Sequence, residues 1–178
     1  MKPYRIFVCL PFLVGLLTAQ AENGEIKSWY YDTAGGTDGS GINLAATYPE
    51  NGKFSFGQYC FLGSGNCLYI TDLEISCEEG AEYPGIVNSH VAAVPIKLTC
   101  YFLGEQPAFT VAPFDDMDNV VRQAERMSIV VPLANDDYKV VRFSLGGSTY
   151  ALDLMRAASL AYLEEKDTTE TKPTEEIL

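Results

Sequence analysis

Residues 59–77 read YCFLGSGNCLYITDLEISC. Aromatic and apolar residues flank Phe61-Leu62-Gly63-Ser64-Gly65-Asn66, whose glycines and asparagine suit a turn. Cys60 and Cys67 stand on either side of that turn. On a hairpin, residues flanking the loop can face each other across the ladder at a separation a disulfide tolerates. From Cys67 onward the odd positions Tyr69, Leu73, Ile75 and Cys77 are apolar or cysteine, while Asp72, Glu74 and Ser76 at even positions are polar. A period of two marks a strand with one buried and one wet face. This stretch sets the expectation of an antiparallel, β-rich region held by disulfides.

What thiols do depends on compartment. Lys2 and Arg5 precede an apolar run at 6–17, and Ala19-Gln20-Ala21 then offers small residues where a signal peptidase reads them. The run falls short of the roughly 18 to 20 apolar residues that span a bilayer. The sequence therefore predicts a cleaved signal peptide at 1–21, a single globular domain at 22–163 and a disordered acidic tail at 164–178. No later stretch reaches membrane length, so no direct membrane insertion is expected after cleavage. Cys9 leaves with the signal, and Cys60, Cys67, Cys77 and Cys100 remain.

An even cysteine count in an exported chain points to two disulfides. A zinc site would pair its ligands as C-x2-4-C knuckles and a redox centre would want C-x-x-C; neither spacing occurs. Loop entropy does not choose the connectivity, because sequential pairing is worth roughly 6 kcal/mol and the alternatives roughly 7. The turn at 61–66 favours Cys60 with Cys67, and hence Cys77 with Cys100.

The chain carries 24 acidic and 12 basic residues, a formal charge of -12. So acidic a surface repels phosphate backbones and anionic lipid headgroups, which argues against nucleic acid and membrane partners and leaves a protein partner open. No Asn-x-Ser/Thr sequon occurs, which fits a bacterial envelope at least as well as a eukaryotic secretory route.

Elsewhere WYYDT at 29–33 reads as a first strand after a leader, and its aromatics Trp29, Tyr30 and Tyr31 are candidates for ligand or partner contact. AGGTDGSG at 34–41 is a glycine-rich loop. It lacks the pattern of a phosphate or dinucleotide loop, and Asp32 and Asp38 lack calcium-loop spacing. INLAATY and KFSFGQYCF form two strands around Pro49-Glu50-Asn51-Gly52, a hairpin signal. EEGAEYPG at 78–85 reads as an acidic loop, and VPIKLTCYFLG at 94–104 as the strand that brings in Cys100.

The second half changes character. Met117, Val120, Val121, Ala124 and Met127 recur at helical spacing, with Asp115 or Asp116 as cap and Asp118 with Arg122 as an i,i+4 pair. SIVVPL and YKVVRFSL follow as strands around Asn135-Asp136-Asp137. A second helix starts at Ser148 and carries Leu152, Met155, Ser159 and Tyr162 on one stripe. The fold class expected is α+β: an antiparallel β-rich domain with two disulfides and two amphipathic helices in the C-terminal half.

Catalytic signals are sparse. His90 is the sole histidine, and Ser89 beside it points the opposite way on a strand. No zinc-protease, nucleophile-elbow or paired-metal motif occurs. With 24 acids, some carboxylate pair is always available, so no specific pair stands out. No catalytic, cofactor or metal residue is assigned, and no cofactor is expected.

The run C-E-E-G-A-E-Y-P at 77–84, a strand ending in Cys100, then helix, strand, strand and FSLGGSTYAL at 143–152 resembles small exported proteins of Gram-negative bacteria. Residues 138–155 are similar to the closing strand-helix segment of invasion-associated locus B proteins. The resemblance implies periplasmic export and a β-rich fold, and it transfers no active site.

These features predict a non-enzymatic periplasmic or secreted protein that binds a protein partner, as an envelope accessory factor or as an inhibitor or immunity protein. Two alternatives stand beside it: a carboxylate-based hydrolase of envelope polymers, and a small-ligand binder built on Trp29, Tyr30 and Tyr31.

Overall fold

A computed structural model describes residues 23–36, 39–49, 52 and 54–170. The signal at 1–21, Asp38 and tail residues 171–178 lie outside the described residues. The elements are β1 (Asn23–Ile26), β2 (Trp29–Asp32), a single 3-10 turn (Ala34–Gly36), β3 (Ile42–Thr47), β4 (Ser55–Phe61), β5 (Asn66–Asp72), β6 (Glu82–Ser89), β7 (Ala93–Leu103), β8 (Gln106–Ala112), α1 (Phe114–Gln123), β9 (Arg126–Pro132), β10 (Tyr138–Ser144) and α2 (Ser148–Glu170).

All ten strands belong to one antiparallel sheet, in the order β1-β2-β3-β4-β5-β8-β7-β6-β9-β10. The expected α+β class is thereby corrected. Strand makes up 48% of the described residues and runs through both halves, so the protein is mostly antiparallel β with two helices laid on it. The imbalance lies in strands the sequence did not announce, and at α1 the helical spacing also runs too far for a local reason. Met127 sits at a helical spacing from Met117, yet the chain leaves α1 at Ala124 (φ -87°, ψ 152°) and Met127 opens the inward row Met127, Ile129, Val131 of β9. Asp115 and Asp116 do not cap α1 either. Pro113 holds that position with no side-chain cap, and the two aspartates act through their charge near the positive helix end. The Asp118–Arg122 pair forms at 3.0 Å. Helix α2 runs on to Glu170, past the boundary drawn at Glu164, and its Leu163 reaches the turn at Gly65.

The sheet curls until its ends touch. Ser28, in the β1–β2 turn, donates its backbone N–H to Gly146 O at 3.2 Å and its hydroxyl to Ser144 Oγ at 2.8 Å, and the Trp29 indole N–H donates to Ser144 O at 3.1 Å. The concave face and the two helices enclose the core. Phe56 stacks on Tyr69 at 5.5 Å and meets Trp29 edge-on at 6.3 Å, with Met117, Val120 and Val121 of α1 and Leu152 and Met155 of α2 buried above the sheet. Burial of such side chains is worth about 1.5–3 kcal/mol each and dominates folding.

Two disulfides reinforce this frame. Cys60 and Cys67 are direct cross-strand partners on β4 and β5, with Cα atoms 4.0 Å apart. Cys77 joins Cys100 of β7 at a Cα separation of 6.1 Å, beside the backbone bonds Gly80 N to Cys100 O and Cys100 N to Ala81 O. Replacing Cys60 and Cys67 together by serine should cost about 2.5 kcal/mol, the loop-closure value for a short loop. Urea unfolding of the oxidised protein against the double variant measures it, and an unchanged midpoint would show that the hairpin holds without its bridge.

Candidate functional site

Alternation along β2 divides the aromatic trio. Trp29 and Tyr31 point into the core, 1% and 7% exposed, and only Tyr30 faces outward. Tyr30 stacks on Tyr48 at 5.5 Å, and their hydroxyls meet at 3.1 Å. Burial, then the bond to Tyr48, pushes the Tyr30 hydroxyl pKa well up. The side chains thus face opposite sides of β2, while all three residues border one open hollow of about 650 Å³ beside Tyr48.

The sheet ends at two strands paired on one side only, four-residue β1 and seven-residue β10, and the longer edge is that of β10. β10 pairs with β9 and has no partner on its other side. Leu145 N–H donates to Glu125 O at 2.8 Å, which continues the ladder one residue beyond β10. In an antiparallel ladder bonded and non-bonded pairs alternate, so Lys139, Val141 and Phe143 share the bonded setting of Leu145. The backbone N–H and C=O of Val140 and Arg142 then point away from β9, to the side where Ser144 O meets the Trp29 indole. Among the described residues nothing bonds to those groups of Val140 and Arg142.

The free edge lines a cleft of about 970 Å³, open to solvent, whose other wall is Tyr48, Pro49 and Phe54. The Ser28–Ser144 contacts bound it at one end, and Lys139 Nζ sits 4.5 Å over the Phe54 ring at the other. A second hollow of about 560 Å³ continues from it, and the two share Glu125, Arg126 and Arg142. On the outer face, register places Pro95, Ile86, Val130 and Val140 in one cross-strand row and Ala93, Asn88, Ser128 and Arg142 in the next. Ile86 and Val140 are nearly half exposed and Tyr138 is 64% exposed, so an apolar strip reaches the open edge.

His90 borders the second hollow, in the β6–β7 turn. Ser89 gives it no nucleophile. The Ser89 hydroxyl oxygen accepts the N–H groups of Val91 at 3.2 Å and Ala92 at 3.1 Å, and the hydroxyl donates to Ala92 O at 3.0 Å, all within the hairpin.

The densest polar cluster lies elsewhere, between helices and sheet. Asp118 accepts from the Tyr69 hydroxyl at 2.6 Å, from Arg122 Nε at 3.0 Å and from the Arg156 guanidinium. Arg122 also reaches Asp153 at 2.9 Å, and Arg156 Nε donates at 2.6 Å to Oε1 of the fully buried Gln58 on β4. Burial alone would push the Asp118 carboxyl up; the bonds from Arg156 and Tyr69 and the charges of both arginines outweigh it and hold the carboxyl below its usual value. Asp118 is a fixed anion that ties α1, α2 and the sheet together, the opposite of a carboxyl poised to give up a proton. Among the described residues no group of three His, Cys, Asp or Glu could hold a metal, and no helix is long and apolar enough to cross a membrane.

Arg126, Arg142, Val140 and Phe54 were not singled out in the sequence. The available signal was the basic character of YKVVR in a strongly acidic chain.

The class defined by fold and cleft is a mostly-β protein whose single curled antiparallel sheet leaves the edge of β10 open beside a groove. No family model and no curated protein matches the sequence. Among solved structures the chain is similar to invasion associated protein B from Bartonella henselae, with a TM-score of 0.56, 8% identity, and coverage of 77% of this chain and 97% of that one. At that identity the likeness shows a shared fold and nothing of activity.

Proposed function

We propose that this is an exported protein of the periplasm or cell exterior that works by binding a protein partner, and that the partner adds a strand along β10. The observation that carries the proposal is the pair of unanswered backbone groups at Val140 and Arg142, facing a cleft with aromatic walls. Strand addition draws affinity from main-chain hydrogen bonds and specificity from alternate side chains, and both are available here. Two disulfides support an oxidising compartment. The sequence resemblance to small exported envelope proteins and the fold likeness to invasion associated protein B support the same setting. The roles that fit are an envelope accessory factor and an inhibitor or immunity protein.

Val140→Pro tests the proposal. Proline is tolerated on an edge strand where its missing N–H faces outward, so pairing with β9 should survive while an incoming strand loses a donor and meets the ring. Oxidised wild type and variant are used as baits in envelope extract, with melting temperature as the folding control. A saturable partner held by the wild type and weakened at least tenfold by Val140→Pro supports strand addition. A partner held equally by both, or none held by either, overturns it.

A further inference from the structure

We infer that the strand accepted by β10 is acidic: Arg142 and Arg126 are placed to receive carboxylates from a segment of alternating glutamate and β-branched residues. This rests on the reading of β10 as the binding edge and specifies what binds there.

The chain is acidic overall, yet among the described residues the groove along its open edge gathers Arg126, Arg142 and, at its end, Lys139, against the carboxylate of Glu125. The other two described arginines, Arg122 and Arg156, are both committed to Asp118. Arg126 and Arg142 have no ion pair among the described residues. They are also close to each other. Arg142 lies opposite Ser128, and Ser144 lies opposite Arg126, so the two arginines are diagonal neighbours on the outer face of the β9–β10 pair. Diagonal partners are about 7–8 Å apart, within reach of long side chains, and like charges set so close repel. A carboxylate between them removes that repulsion and can be held by two guanidinium forks.

The pleat then dictates a pattern. On an added strand, the residue opposite Arg142 projects to the outer face beside the guanidinium and is acidic, and so is the terminal residue two positions on, which leaves the ladder where Ser28 and Trp29 occupy Ser144 and turns outward toward Arg126. The residue opposite Val140 continues the exposed row of Ile86, Val130 and Val140 and is apolar. Residues between these project to the other face, toward Val141, Phe143 and Phe54, and are apolar too. A second copy of β10 does not fit, because Lys139 and Arg142 would meet a strand carrying the same cations.

The probe is a dye-labelled peptide, Glu-Val-Glu-Val-Val-Thr with blocked ends, and its counterparts with both glutamates replaced by glutamine or by lysine. Binding is read by fluorescence polarisation at low and high salt, on wild type, on Val140→Pro and on the double variant Arg126→Gln with Arg142→Gln. Both arginines are exposed, so the double variant should keep the wild-type melting temperature. The expected order is glutamate tighter than glutamine by tenfold or more, and no binding of the lysine peptide. Either variant should lose at least tenfold for the glutamate peptide, and salt should weaken it. Equal binding of all three peptides with loss in Val140→Pro would overturn the acidic preference and leave the edge intact. Glutamate binding that ignores Val140→Pro would overturn strand addition itself. No binding of any peptide overturns the inference, while an envelope partner lost with Val140→Pro would still uphold the edge.

Discussion

Gly57→Val should cost more than about 3 kcal/mol and leave little folded protein. Gly57 lies in the middle of β4, opposite Ala46 of β3 and Ile70 of β5, on the outer face of the sheet. A Cβ at this position would come within 2.4 Å of Ala45 O, 2.5 Å of Ala46 Cβ and 2.7 Å of Ala46 Cα. None of these atoms can move by changing a rotamer, so relief requires β3 to shift from β4. Overpacking commonly costs about 1–3 kcal/mol, and a clash against backbone lies beyond that range. Gly57→Ala should fall between valine and wild type. Gly63→Ala is the control: nothing lies within 4 Å of its Cβ position, and it should change stability by less than about 0.5 kcal/mol. Urea unfolding followed by far-UV circular dichroism orders the three variants. A Gly57→Val protein as stable as the Gly63 variant would show that the β3–β4 approach is not as close as described.

Asp118→Ala should destabilise by about 3 kcal/mol, because it removes the acceptor of three donors and leaves the guanidinium groups of Arg122 and Arg156 facing each other. For a domain of this size that is a fall in melting temperature of about 6–12 °C. The pH dependence has a definite sign. The folded Asp118 carboxyl lies below its ordinary value of 3.8, so its contribution is fully present above that value and is lost as pH falls through the folded value. Wild type should therefore lose stability on acidification below about pH 4, and Asp118→Asn should show a flatter curve there. Parallel curves for the two proteins would mean that Asp118 titrates alike in the folded and unfolded chains.

Legibility followed the range of the interactions. The Cys60–Cys67 hairpin, β2, β3, β7, β9, β10 and the start of α2 could be read because alternation, turn residues and an N-terminal serine are local signals. Three strands escaped. β1 is four residues with a glycine, and β6 reads as a loop because Pro84 and Gly85 interrupt it, although both sit in the ladder opposite Lys97 and Ile96. β8 begins Gln106-Pro107-Ala108, which lacks β-branched residues until Thr110. Trp29, Tyr30 and Tyr31 were grouped by type, whereas consecutive strand residues face opposite ways. The cleft could not be read from any local stretch. β10 becomes an edge only because β8 returns to pair with β5 and β6 carries β9, pairings far apart in sequence. Its cations were in view, but nothing in YKVVRFS says which side of the strand lacks a neighbour.

The contact between Ser28 and Ser144 joins residues 116 positions apart. Loop-closure entropy sets such a contact against early formation, and topologies rich in distant pairings fold slowly. The β1–β2 hairpin can pair with β3 at once, but its contact with β10 must wait until β10 has been delivered. That seam is held by a few hydrogen bonds at the rim, so it is expected to open at a lower free energy than the packed strands on either side.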